Sequence, residues 1–193
     1  MYNHYVEITR ETEGLLFINA VIENLRYGLI SLNAIFRGEI PEDYNDEHTF
    51  YFFHVQSLLA AQGNIRNILY GTYFDYRRVS KHRVETIRDS FGIDLNRYHL
   101  LKNSNFRNTN MHFDERYYKL RLDGDLNLLR KTDDNYHVLI NATHLRALDL
   151  DNMIYISCAD KGRKITMDLR ALQQEMQDML NVLSSLDIRQ NKA

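Results

Sequence analysis

The stretch TEGLLFINAVIENLRYGLISLNAIF, Thr12 to Phe36, decides the fold class. Leu15, Ile18, Val21, Ile22, Leu25, Leu29, Leu32 and Phe36 recur in it at spacings of three and four. That period is one face of an α-helix. No proline interrupts the stretch, and the whole chain of 193 residues holds one, Pro41. At ~5% usage about ten are ordinary. Because proline removes a backbone donor and clashes with the preceding turn, its scarcity permits long unbroken helices.

Working outward, Gly38, Pro41 and the acidic run Glu42 to Glu47 form a connector. A second helix is predicted from His48 to Tyr70, with Phe52, Val55, Leu58, Leu59, Ile65 and Leu69 as its apolar stripe and Gly71 as its stop. Two long helices on a short loop predict an antiparallel hairpin. A shorter basic helix is expected from Val79 to Phe91, capped by Gly92, then a polar linker from Ile93 to Lys102. The next helix is expected from Ser104 to Leu122. Segments 135–141, 152–157 and 163–167 carry strand signals around the turn Asp160-Lys161-Gly162, which predicts a small β-hairpin. Asp168 is a fitting N-cap for a last helix to Leu186, whose stripe is Leu169, Leu172, Met176, Met179, Leu180, Leu183 and Leu186. The expectation is a mainly α chain: an up-down helical bundle, one domain over 1–193, with a β-hairpin insertion at about 135–167 before the last helix.

Composition narrows the function classes. One cysteine, Cys158, excludes a disulfide scaffold and a Cys-rich zinc site, and fits a reducing compartment. The net charge of −2 gives no whole-chain footprint for nucleic acid, so any polyanion site is a local patch. The N-terminus has no basic region leading into an apolar core, so no signal peptide is read. The apolar run Leu15 to Ile22 is broken by Asn19 and falls short of the ~20 residues of a membrane span. The expectation is a cytoplasmic chain with no membrane partner.

The chemistry concentrates in Phe106-Arg107-Asn108-Thr109-Asn110-Met111-His112-Phe113-Asp114-Glu115-Arg116. On a helix, Arg107 and His112 are about 140° apart, whereas Asn108 and His112 share a face. Arg116 and Lys119 continue the polar band. Arginine offers a planar fork to phosphate oxygens, and histidine exchanges protons near neutral pH. The same pattern also describes an ordinary solvated helix face. A second basic stretch, Arg77, Arg78, Lys81 and Arg83, follows Tyr73, Phe74 and Tyr76. Such a stretch suits an RNA backbone with stacked bases, or equally a solvated face over core aromatics.

Arg107-Asn108-x-x-x-His112 resembles the Arg-x4–6-His motif of the HEPN-domain superfamily, and His112-Phe113-Asp114-Glu115-Arg116 resembles a subset of uncharacterised bacterial HEPN-like proteins. The resemblance implies a HEPN-like bundle and a metal-independent endoribonuclease, a toxin or phage-defence effector, working as a homodimer with a composite site. It implies that Arg107 binds the scissile phosphate, His112 acts as general base or acid, and Asn108 positions them. Arg116, Lys119, Arg77, Arg78, Lys81 and Arg83 would bind substrate RNA. The family also contains non-catalytic members, which leaves open a helical binding or regulatory module that engages a protein or nucleotide partner, such as an antitoxin.

The remaining candidates are weaker. Gln56, Asn64 and Asn67 either line a cleft opposite the motif or serve as surface and capping groups. The pairs His48/His54 and His137/His144 lack the i, i+4 spacing of a helical metal site, and the 42–47 loop has no EF-hand pattern. No metal or cofactor is expected. Met176 and Met179 read as core filling, and Cys158 as a small buried residue.

Overall fold

The computed structural model describes residues 10–44, 46–71, 84–85, 87–88, 91–106, 118, 122, 137–140, 145–158 and 163–190. Helix α1 spans Arg10–Arg37 and helix α2 spans Glu47–Tyr70. Asp46 caps α2: its carboxylate accepts from the Thr49 N–H at 2.7 Å and the Thr49 hydroxyl at 2.8 Å. This moves the start of α2 one residue ahead of His48. Gly38 and Gly71 both sit at positive φ (64° and 77°), where a left-handed residue ends a helix at little steric cost. The two helices pack as the hairpin their stripes predict. Val21, Leu25 and Leu32 of α1 meet Val55, Leu58, Leu59 and Ile65 of α2 in one buried cluster.

The segment read as a polar linker is structured. A 3₁₀ turn at Leu95–Arg97 runs into the one-turn helix α3, His99–Lys102. The cause is a local period of three: Leu95, Tyr98 and Leu101 all point into the core. The expected basic helix is helical at 84, 85, 87, 88 and 91. The expected motif helix is helical at 105, 106, 118 and 122, and the rest of it lies outside the described residues.

The C-terminal third corrects the fold class. In place of a helical bundle with a small hairpin, the chain is mixed α/β. Strands β1 (Val138–Ile140), β2 (Arg146–Asp149), β3 (Ile154–Cys158) and β4 (Lys164–Asp168) form a four-stranded antiparallel sheet in the order β1-β2-β3-β4. The hairpin expected between 152–157 and 163–167 is its β3–β4 half, with Tyr155 opposite Met167 and Ser157 opposite Ile165. The unexpected half is β2, whose sequence Arg-Ala-Leu-Asp has no β-branched or aromatic residue. Register explains why it pairs. Leu148 lies opposite both Leu139 and Tyr155, so its side chain joins the row Leu139–Leu148–Tyr155–Met167 that is buried in the main core. The opposite face carries a second small cluster of Leu145, Ala147 and Cys158.

Helix α4, Leu169–Gln190, starts directly from β4. Asp168 caps it as predicted, accepting from Arg170 N–H at 2.8 Å and Ala171 N–H at 3.0 Å. Leu169, Leu172, Met176, Met179 and Leu183 are its buried stripe. Met176 lies over Gly28 of α1. A Cβ at position 28 would stand 2.8 Å from the methionine sulfur, so glycine permits this close approach. By length and composition, the segment Gly14–Arg37 could cross a membrane (mean hydropathy 1.3), which the broken Leu15–Ile22 run concealed. In the fold its inner face is core, packed on α2 and α4.

Candidate functional site

Residues 95–106 lead into the Arg107–His112 motif, and they are held by polar groups from two long helices. A one-turn helix has no stability of its own, because nucleation fixes several residues for a single hydrogen bond. Tyr98, at the N-cap of α3, makes no side-chain cap. Glu175 of α4 caps the turn from outside: its carboxylate accepts from Leu100 N–H at 3.0 Å and Leu101 N–H at 3.0 Å. A negative group there satisfies orphan donors and complements the helix dipole.

Gln62 of α2 holds the other end and is fully buried. Its Nε2 donates to the carbonyls of Asn103 at 2.6 Å, Leu100 at 2.9 Å and Leu101 at 3.3 Å. Its Oε1 is buried with no hydrogen-bond partner, so the amide serves as a donor here. The Tyr70 hydroxyl adds a bond to Leu95 C=O at 2.7 Å. Burial, with Glu175, Tyr98 and Asp94 nearby, raises the Tyr70 pKa and keeps it the protonated donor this bond needs. Arg97 reaches Asp178 at 2.7 Å across half-exposed surface. Such a pair contributes at most about 1 kcal/mol.

The clamp ends on Phe106. Asn103 Oδ1 accepts from Asn105 N–H at 2.9 Å and so opens the next helical turn. Phe106 is buried, its ring 6.3 Å from that of Tyr155 on the sheet. Burial pushes Tyr155 up to about 12, against the opposing pull of Arg146 and Ser157. The residue before Arg107 is therefore buried in the main core, beside Tyr155 of the sheet.

The expected site residues Arg107, Asn108, His112, Arg116 and Lys119 lie outside the described residues, as do Arg77, Arg78, Lys81 and Arg83. The polar candidates on α2 separate. Asn64 faces α1 and donates to Asn24 Oδ1 at 3.0 Å, Asn67 accepts from Arg66, and Gln56 is exposed. Gln62 and Glu175 were not singled out from sequence. Gln62 had a signal: it stands between Leu58/Leu59 and Ile65/Leu69, in line with the buried stripe.

Other reactive groups are quiet. Burial pushes the Cys158 thiol up, which makes it a poor nucleophile. Burial lowers the His54 pKa, with Phe50 and Phe53 edge-on to its ring. Among the described residues no three His, Cys, Asp or Glu side chains gather as a metal site. A separate cleft of about 510 Å³ opens between α1 and α2, lined by Tyr27, Ile30, Ser31, Phe53, Ala60 and Asn64 among others. No family model matches the chain, and no curated protein or solved structure matches it.

Proposed function

We propose that the chain is a metal-independent, RNA-cleaving protein of HEPN type. In this reading it acts in the cytoplasm as a homodimer in which two copies of Arg107, Asn108 and His112 form one site. The supporting observation is the clamp: Gln62, Glu175 and Tyr70 fix residues 95–103, and buried Phe106 ends the fixed segment one residue before Arg107. Catalytic groups need a rigid mount, since acceleration by positioning is lost with small misplacements. The proposal does not include the helical-bundle architecture, which the four-stranded sheet replaces.

The chemistry proceeds as an internal transfer. One His112 takes the proton from a ribose 2′-hydroxyl, whose oxygen attacks the adjacent phosphorus. The bond to the 5′-oxygen breaks, and the second His112 supplies that oxygen with a proton. The products are a 2′,3′-cyclic phosphate and a free 5′-hydroxyl. Arg107 neutralises charge on the phosphoryl oxygens, and Arg116, Lys119 and the basic residues Arg77, Arg78, Lys81 and Arg83 track the RNA backbone. The test is cleavage of RNA in EDTA. His112→Ala should lower the rate at least about 10²-fold with an unchanged circular dichroism spectrum. No cleavage by the folded protein, or cleavage indifferent to that substitution, overturns the reading.

A second reading is a non-catalytic binding or regulatory module with a protein partner such as an antitoxin. The observation that favours it is the large apolar side chains left exposed on α1 and α2. A stable partner covering 107–112, with no cleavage of RNA, supports it.

A further inference from the structure

Helix α1 carries two apolar faces, and the fold covers one. The covered face is Ile18, Val21, Leu25, Leu32 and Ile35. The other follows Leu16, Ala20, Glu23, Tyr27, Ile30 and Ala34, spaced alternately by four and three. Leu16, Tyr27 and Ile30 lie within about 60° of one another around the axis. They are 55%, 54% and 61% exposed, and Phe53, beside them on α2, is 53% exposed. A helix apolar on more than one side is ordinarily covered on more than one side.

The patch holds both halves of a packing surface. Tyr27, Ile30 and Phe53 stand at the sides of the cleft, and Ser57, Ala60 and Ala61 are its small residues. Among the described residues, none of those lining the cleft is Asp, Glu, Lys or Arg. A nucleic acid or an acidic peptide finds no lysine or arginine in the cleft, and the one carboxylate on the stripe, Glu23, accepts from the Tyr27 hydroxyl at 2.7 Å. Glu23, on the stripe itself, and Arg26, about 60° from it around the axis, are exposed and of opposite sign. In an antiparallel pair of α1 helices, a two-fold axis crossing between them sets Glu23 opposite the partner's Arg26, and the reverse. One self-complementary patch meeting its copy is the isologous geometry of two-fold dimers.

The area agrees. On the 150–250 Å² scale of a large aromatic side chain, half exposure leaves about 100 Å² in water. Tyr27 and Phe53 together expose about 200 Å², and the smaller Leu16 and Ile30, exposed to a similar degree, bring the patch to at most about 400 Å² per copy, or about 800 Å² across a two-fold axis. Interfaces are about 56–65% apolar, so this corresponds to roughly 1,200–1,400 Å² in total, within the range of stable dimers.

We infer that the exposed α1–α2 face, centred on Tyr27, Ile30 and Phe53, is the surface through which two copies of this chain associate. The interface stands independently of whether Arg107 and His112 cut RNA. It shares with the ribonuclease reading only the homodimer.

The test is sedimentation or light scattering on the full chain at about 50 μM, above the micromolar Kd that marks the weak end for standard-size interfaces. The wild type should have twice the 23.0 kDa mass of one chain. Ile30→Asp, which sets carboxylates into the apolar centre, should weaken association about 100-fold or more and give a monomer of unchanged circular dichroism. Leu122→Asp, at an exposed position outside the patch, should stay dimeric. Glu23→Arg and Arg26→Glu should each weaken association, and the double swap should restore it, a result independent of how Ile30→Asp folds. A monomeric wild type, which leaves the face to a foreign protein, overturns the inference. So does a dimer untouched by both Ile30→Asp and the charge swaps. Cleavage of RNA by a dimer untouched by those variants would leave the ribonuclease reading standing while this interface falls, whereas a monomeric wild type removes the homodimer from both.

Discussion

Replacing Gln62 with leucine tests the clamp at its most buried point. Leucine keeps the bulk and removes the amide. Three carbonyls lose a donor, but Leu100 C=O keeps the Asn103 N–H at 3.2 Å, so the loss falls on Leu101 and Asn103. A buried acceptor left unpaired costs about 1–3 kcal/mol. The Leu101 bond, at 3.3 Å, is the weaker of the two, and leucine also removes the unpartnered Oε1, which offsets part of the loss. The net expectation is destabilisation by about 2 kcal/mol. For a chain of this length that lowers the thermal midpoint by about 4–8 °C. Amide exchange should quicken most at residues 100–106 and least in the middle of α1. Gln62→Glu sharpens the test, because an ionised carboxylate has no proton for the carbonyls whereas the acid form has one. Its folded pKa should lie above the ordinary ~4.3. Relative to wild type, the variant is then most stable below the unfolded pKa and loses stability as pH rises through the folded one. A Gln62→Leu midpoint within about 1 °C of wild type, with unchanged exchange at 100–106, would refute the reasoning.

Two further outcomes follow from the described geometry. Cys158 should react with a thiol reagent on the order of 100-fold or more slowly in the native protein than in denaturant, because reaction requires the sheet to open. Rapid native labelling would place it at the surface. Asp46→Ala should lower the thermal midpoint at neutral pH by uncapping α2. The bond from the Thr49 N–H holds the Asp46 carboxyl below its ordinary range, so its contribution is full above the unfolded pKa and fades as pH falls through the folded one. The gap between wild type and variant should therefore close in acid; a gap constant across that range counts against the cap.

The three long helices were legible because each commits its apolar residues to one repeating face. The Val21–Leu25–Leu32, Val55–Leu58–Ile65 and Leu172–Met176–Met179 series need no partner to be recognised. The β2 strand was not, since Ala147 and Leu148 favour helix locally and become strand only between β1 and β3. Helix α3 escaped notice for a related reason. Its caps come from Gln62 and Glu175, some 40 and 75 residues away in sequence. Gln62 was partly legible as a polar residue set into an apolar stripe. For Glu175, an acidic residue beside Leu172 and Met176 looks like any solvated flank until Leu100 and Leu101 are brought to it. At the motif itself, sequence supplies the residue types of Arg107 and His112, and the described structure supplies the fixed point at Phe106.

The direct passage from β4 into α4 limits where this chain can change in length. Asp168 is at once the last residue of a strand and the cap of a helix, so no loop lies between them to absorb an insertion or deletion. One residue added there turns every later helical position by about 100°. Leu172, Met176 and Met179 would swing off the core together, and Glu175 would leave the amides of α3. The connector from Gly38 to Asp46, by contrast, leaves α1 and α2 to be aligned by their own packing and can lengthen with little effect. Natural variation in length should therefore gather between α1 and α2 and be missing after Asp168.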